Sequence, residues 1–574
     1  MSQRKLKKQR AMEAIEVVKK VEYSGTGWIE TWKKFFTLNW KYLLGMTLVI
    51  VLIYFNGLNA NFVSDDYASI TQNPQINNFK FMFNNGDSMS FSTYLVNQVF
   101  GSSSPIPYHA ISLLSFIIFC WQAAFLIDLF FENKWLTWLT VGLFVVHPIH
   151  VEAVTWISGR NYVIVANYVM AGLTSFIFYT RKFKNKYLVA LLALFVLAFL
   201  TDKPRSFALF LLIGVYVMYF GAKRFKINWG KFLLGSIAVG IVFSLISWPY
   251  IMNRINIVNG GYNASESIFY NPFFQYPTGL TKYFQLLWFP VDLTLYHTMY
   301  IIPNWLNWLT LLTYLSAMVY FFFKNKPYFL AMAWVIAGVM LSIMPVKVSW
   351  LVAERYMFLG SLGFSLLIAL LVLDMSRWLK FVPGVMWVCL AVYFSFRTVM
   401  RNIDWQTNHN LWVNTCQVSP NSHNAWNNIG DDYDKQKDFV NAVKGFTQST
   451  LVKPNYADAY HNRANIFYKL GRMDLARESY NIAVNLSPAL VQSYISLTQI
   501  DLAEKKYDLA LQHSESAYKL DQTNPQTAYI LGAVKLQTGN MSEAKSIFEN
   551  ILRQYPNYSL AREALLQMST GTTK

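Results

Sequence analysis

The stretch "KYLLGMTLVIVLIYFNGLNANFVSDDYASITQNP", residues 41–74, joins a long apolar run to a polar segment holding two adjacent carboxylates, Asp65 and Asp66. The apolar residues centred near residue 50 read as a helix crossing a bilayer, since ~20 such residues span ~30 Å of hydrocarbon. The chain begins "MSQRKLKKQRAMEAIEVVKK", basic and partly amphipathic, and no small-residue cleavage motif follows the run. We expect a cytoplasmic tail with a retained first span, not a cleaved signal peptide. The acidic pair then emerges about ten residues beyond the membrane, on the outer side.

The same pattern of apolar runs continues to about residue 400. Hydrophobic residues make up 54% of the chain and charged ones only 14%, with a mean hydropathy of +0.26; these values exclude an ordinary soluble protein. Candidate spans centre near residues 50, 118, 145, 170, 193, 212, 240, 314, 337, 365 and 390. The shorter "LTKYFQLLWFP", Leu280–Pro290, reads as re-entrant or interfacial, so the expectation is about 11 spans and one re-entrant piece. Basic segments from Arg181, Gly221, Lys324 and Ser376 fall on the side of the basic N-terminus when the helices alternate, which makes that side cytoplasmic. The net charge of +18 thus orients a membrane protein and does not call for nucleic acid. Cys120, Cys389 and Cys416 are scattered, so neither a disulfide framework nor a zinc site is indicated.

Beyond Arg401 the chain turns polar and repeats every 34 residues: Pro420, Pro454 and Pro488, Ala442, Ala476, Ala510 and Ala544, and Trp426, Tyr460 and Tyr494 keep this step. Aromatic and small residues at these offsets, with proline between units, read as about four tetratricopeptide repeats, and "YSLAREALLQM" as a closing helix. The fold class expected is all-α: a multi-span membrane domain followed by a tetratricopeptide-repeat solenoid. Residues 1–40 form the tail, 41–400 the membrane domain, 401–420 a linker and 421–574 the repeats, on the outer side. Stacked repeats offer a face for a protein or peptide partner.

Several outer segments carry groups capable of chemistry. Asp65 and Asp66 read either as a solvated helix cap or as a base with its supporting carboxylate. "HPIHVEAVTWISGRN" supplies His147, His150, Glu152 and Arg160; Pro148 interrupts the helical spacing that a zinc motif needs, leaving substrate contact or helix pairing. Lys203 and Arg205 in "TDKPRS" stand on the outer side against the charge bias, reading as phosphate-binding or as snorkelling to lipid headgroups. Glu354 and Arg355 in "SWLVAERYMFLGSLGF" read as an ion pair between helices or as a grip on a donor phosphate. Tyr296 and His297 are further candidates for the same cavity. The chain carries no Gly-rich nucleotide loop and no nucleophile elbow.

In this order, "FVSDDYASITQNP", "HPIHVEAVTWISGRN", "DKPRS", "VAERYMFLGSLGF" and "RNIDWQTNHNLWVNTCQVSPNSHNAWNNIG" resemble the transmembrane and tetratricopeptide-repeat O-mannosyltransferases of the C-type glycosyltransferase superfamily. The resemblance covers nearly the whole chain. It implies a metal-free, cofactor-free transferase that uses a sugar on a polyprenyl or dolichyl phosphate as co-substrate and acts outside the cytoplasm. Asp65 or Asp66 would be the base, and Lys203, Arg205 and Arg355 would stabilise the departing phosphate. The acceptor protein would be presented by the repeats, facing the periplasm from a bacterial inner membrane or the lumen of the endoplasmic reticulum in a eukaryote. The chain departs from the family at Thr93, Tyr94 and Leu95, where relatives usually have Arg-Pro, and at Pro204, where they often have Glu; mannose is carried by the resemblance alone. A non-catalytic scaffold assembling an envelope or secretion complex through its repeats is the alternative, and a transporter or flippase the third reading.

Overall fold

The computed structural model describes residues 27–78, 91–101, 103–220, 272–340 and 350–570, with Leu245, Trp248, Pro249, Met252 and Ile343. The basic tail to residue 26, the expected span near residue 240, the basic segment from Gly221 and the outer turn around Val348 lie outside these residues. All regular elements among the described residues are helical. The chain divides into two compact units, Met1–Val418 and Ser419–Lys574.

In the first unit seven described helices are long and apolar enough to cross a membrane, eight when the bent pair Lys134–Val146 and Pro148–Val154 is counted as one span. Asn185–Thr201 and Lys326–Val339 are shorter apolar helices. The expected eleven crossings are therefore not all visible as full-length helices. Helix Trp28–Tyr54 buries Phe35, Leu43 and Ile50 while leaving Leu44, Leu48 and Leu52 open, an outward apolar face suited to lipid. Trp378 and Phe381 stand exposed beside Arg377 and Lys380, the aromatic and basic mixture of a headgroup layer.

Two sequence features set the packing of the first unit. Proline disfavours helical geometry in the residue before it, and His147, before Pro148, is extended at φ −73°, ψ 123°; the paired helices bend by 56° there. At Gly338 an added Cβ would lie 2.4 Å from the Gly360 backbone, so only glycine lets helix Lys326–Val339 come this close to the start of Ser361–Leu379. The Leu280–Pro290 piece belongs to a 17-residue helix, Pro272–Trp288, whose Tyr283, Leu286 and Leu287 are buried. Of residues 401–420, expected to be a linker, 401–404 and 408–418 are helical and 401–418 belong to the first unit. Asn402 there accepts from Thr155 Oγ1 at 2.6 Å and donates to the Ile53 carbonyl at 2.9 Å. These long-range contacts make the segment core.

The second unit holds four helix pairs, His423–Lys435 with Phe439–Val452, Ala457–Lys469 with Met473–Leu486, Val491–Ala503 with Tyr507–Leu520, and Pro525–Gln537 with Met541–Gln554, followed by Ser559–Thr570. The periodic alanines Ala442, Ala476, Ala510 and Ala544 are fully buried. Within a pair, a small residue admits an aromatic ring: a Cβ at Gly430 would meet Phe446 at 2.8 Å, and one at Gly532 would meet Phe548 at 2.6 Å.

Candidate functional site

The loop holding Asp65 and Asp66 is anchored by Phe62, Ile70 and Ile76, buried with Tyr108 and Ile157. Ser64 adopts a left-handed φ of 54° and its N–H donates to Asn408 Oδ1 at 2.8 Å, turning the chain so that the two aspartates part. Asp66 is fully buried; its carboxylate accepts from the Val63 N–H at 3.1 Å, the Ser158 N–H at 2.9 Å and Ser158 Oγ at 2.5 Å. Burial pushes its pKa up to about 7 against these donors. Asp65 is exposed. The pair is thus divided into an inner brace and an outer, solvent-facing carboxylate.

Ser158 is brought under Asp66 by a tight turn in which a Cβ on Gly159 would lie 2.3 Å from the Glu152 carbonyl oxygen. Arg160, fully buried, donates to Thr93 Oγ1 at 2.5 Å and to the Tyr108 carbonyl at 3.2 Å. It ties the segment carrying Thr93 to the loop's apolar anchor.

The same segment organises a basic cluster. The Glu152 carboxylate pairs with the Arg355 guanidinium and accepts from the Arg355 N–H at 2.8 Å. Arg355 Nε donates to Tyr162 Oη at 3.3 Å, and the guanidinium lies 5.2 Å from the Trp156 ring centre. The Tyr162 and Tyr356 rings stack at 5.8 Å; Arg205 sits 4.0 Å above the first and 5.0 Å from the second while paired with Asp202 at 2.5 Å. Cations held on aromatic faces keep their charge with fewer waters around it. Tyr162, Arg205 and Tyr356 line a small cavity of about 20 Å³ whose remaining lining is mostly apolar, including Val165, Val169 and Phe358. Lys203, half-buried, opens the short helix that carries Arg205.

Glu354 forms a second buried hub. It accepts from Arg401 at 3.0 and 3.2 Å and from the Thr294 N–H at 2.6 Å, with His297 Nε2 at 3.6 Å. Burial pushes Glu354 up to about 7 despite Arg401, and burial together with Lys282 holds His297 down to about 3. Tyr296 stacks on Trp350 with ring centres 4.0 Å apart.

Six residues expected to line a substrate cavity, His147, His150, Glu152, Arg160, His297 and Glu354, are instead buried. The bend at Pro148 turns the two histidines inward: His147 Nε2 lies 3.1 Å from the Leu287 carbonyl, and the His150 ring lies 4.2 Å from Phe144 and 5.2 Å from Phe358. Glu152 and Glu354 pair with arginines. Of the expected phosphate-binding residues, Arg205 and Arg355 share one aromatic pair. Ser158, Tyr162, Tyr356 and Arg401 were not singled out from sequence, although Ser158 and Tyr162 each stand two residues from Arg160 and Tyr356 follows Arg355.

Family models described as tetratricopeptide repeat match residues 457–490 and 501–568. The human protein O-mannosyl-transferase TMTC3 is 24% identical over an alignment covering 94% of this chain and 71% of that protein. The mouse TMTC3 is 25% identical, covering 79% of this chain and 56% of that protein. A third, the Caenorhabditis elegans protein O-mannosyl-transferase F38B6.6, is 22% identical over 70% of this chain and 62% of its own length. Over most of its length the chain is similar to the transmembrane and tetratricopeptide-repeat O-mannosyltransferases. Among solved structures, MamA matches 29% of this chain and 95% of its own at 14% identity and a TM-score of 0.25. Within the O-mannosyltransferase-like chain, the acidic loop, the Glu152–Tyr162 segment and the Arg355 turn all lie in the membrane unit.

Proposed function

We propose that the protein is a membrane glycosyltransferase moving a sugar from a polyprenyl-phosphate carrier to a protein hydroxyl on the extracytoplasmic side, in one inverting displacement, with the repeats binding the acceptor. The sugar is mannose by analogy with the relatives' names. One observation carries the reading: residues 152–162 brace the acidic loop through Ser158 and hold the cationic cluster through Glu152 and Tyr162. The proposed general base and leaving-group site are thereby held by a single piece of backbone.

In this mechanism Asp65, the exposed member of the pair, takes the proton of the acceptor hydroxyl as its oxygen attacks the anomeric carbon. The carbon–oxygen bond to phosphate breaks and its electron pair leaves on the phosphate, whose charge Arg205 and Arg355 stabilise. Asp66 is a positioning residue that keeps the loop in register. With the full chain in detergent, a polyprenyl-phosphate sugar and a protein acceptor, Asp65→Asn should cut transfer by about 10²- to 10⁴-fold while leaving the melting temperature unchanged. Full activity in that variant would overturn the assignment of the base.

A further inference from the structure

Asp65 sits between two clamped residues. On one side Asp66 is held by Ser158; on the other, Ser64 stands at a left-handed φ of 54°, a conformation that is costly for any residue with a side chain and open to glycine. A serine keeps such a backbone only where its surroundings impose it. If Ser64 relaxed to an ordinary φ, the direction of Asp65 would change with it.

The hold comes from residues 405–408, where helix Val382–Asp404 gives way to helix Asn408–Val418. Gln406 Nε2 donates to the Asn56 carbonyl at 3.2 Å, the Gln406 carbonyl accepts from the Asn61 N–H at 2.9 Å, and Asn408 Oδ1 accepts from the Ser64 N–H at 2.8 Å. These bonds stitch the chain from the end of the first span up to the residue before Asp65. Their support is itself fixed. Trp405, fully buried, stacks on Trp156 with ring centres 5.5 Å apart, and Arg401 Nη1 donates to Asn414 Oδ1 at 3.1 Å, fastening the second helix to the first. Thr407 Oγ1 accepts from the Asn410 N–H at 3.1 Å, an N-cap that places Asn408 in the first turn of its helix. Only the oxygen of an Asn amide can accept from a backbone N–H, so the Ser64 contact also sets which way the Asn408 amide faces.

Resting on the transferase reading, we propose that Asn408 is a positioning residue for the base: by accepting the Ser64 N–H it keeps Ser64 left-handed and the Asp65 carboxylate turned outward to the acceptor hydroxyl. The test uses the full chain in detergent with a polyprenyl-phosphate sugar and a protein acceptor. Asn408→Ala should lower kcat by about tenfold with the KM for the lipid donor unchanged, because the arginine cluster is held by Glu152, Tyr162 and Asp202 instead. Glycine at position 64 needs no such hold, so Ser64→Gly added to Asn408→Ala should bring kcat back to within about threefold of wild type. Amide hydrogen exchange, read without donor or acceptor, should speed up about tenfold at Ser64 in Asn408→Ala. Wild-type kcat in Asn408→Ala, a loss that Ser64→Gly does not recover, or unchanged exchange at Ser64 would overturn the role of Asn408 while leaving the transferase reading in place. No transfer by the wild-type chain would overturn that reading, and the role of Asn408 with it.

Discussion

The two units of this protein use charge in opposite ways. In the membrane unit two buried ion pairs reach far along the chain, Glu152 with Arg355 and Glu354 with Arg401, both partners of the second being fully buried. In the repeat unit most pairs lie at the surface between near neighbours or adjacent repeats, as with Asp431 and Lys435, while the inside is built from alanine, glycine and aromatic rings. Buried charges must be paired and hydrogen-bonded or they are too costly to keep, so each such pair fixes the position of two distant segments. Exposed pairs fix little. The membrane unit is therefore specified by a few partnerships, and the repeat unit by many small, equivalent contacts.

Removing one partner of a buried pair should have the largest effect. Arg401→Met leaves Glu354 buried without its cation and should cost about 3–5 kcal/mol, read as a lowered melting temperature in detergent; an unchanged melting temperature would erase the contrast between the units. The next effect depends on pH. Asp66 has a folded-state pKa raised to about 7, so the folded protein keeps a proton that the unfolded chain releases near pH 4. That contribution is present in full below the unfolded value and lost as pH rises to about 7. Wild-type stability should therefore fall relative to Asp66→Asn between about pH 4 and 7, and the difference should level off above; parallel melting curves over that range would refute the brace.

Smaller effects belong to the repeat unit. Gly532→Ala drives a methyl against the Phe548 ring and should destabilise by about 1–3 kcal/mol, measured by chemical denaturation followed by circular dichroism. Lys435→Ala removes an exposed partner of Asp431 and should cost no more than about 0.5 kcal/mol in the same assay.

How legible each unit was follows from the range of its contacts. The repeats could be placed from Pro420, Ala442 and Trp426 because every unit repeats the same local packing 34 residues later. Likewise the acidic pair was found at the end of the first apolar run, since emergence from the membrane is a local property. The inward turn of His147 and His150 was not legible: Pro148 announces a bend but not its direction. Nor could the partner of Arg355 be read, as Glu152 lies 203 residues away and no periodicity relates them. Among the described residues the expected spans appear as seven full-length helices, one bent pair and two shorter apolar helices, a difference in length that a hydropathy run does not reveal. Residues 401–418 looked like a linker by their polarity, yet Arg401 and Asn402 spend that polarity on buried hydrogen bonds.

Because residues 152–162 touch both the acidic loop and the arginine cluster, those two groups have no separate foundations. Substitutions on opposite sides, one under Asp66 and one under Arg355, would each shift the same short backbone, and their costs would fail to add. On the transferase proposal, a change that retuned one group would disturb the other, so donor and acceptor preferences would have to evolve together.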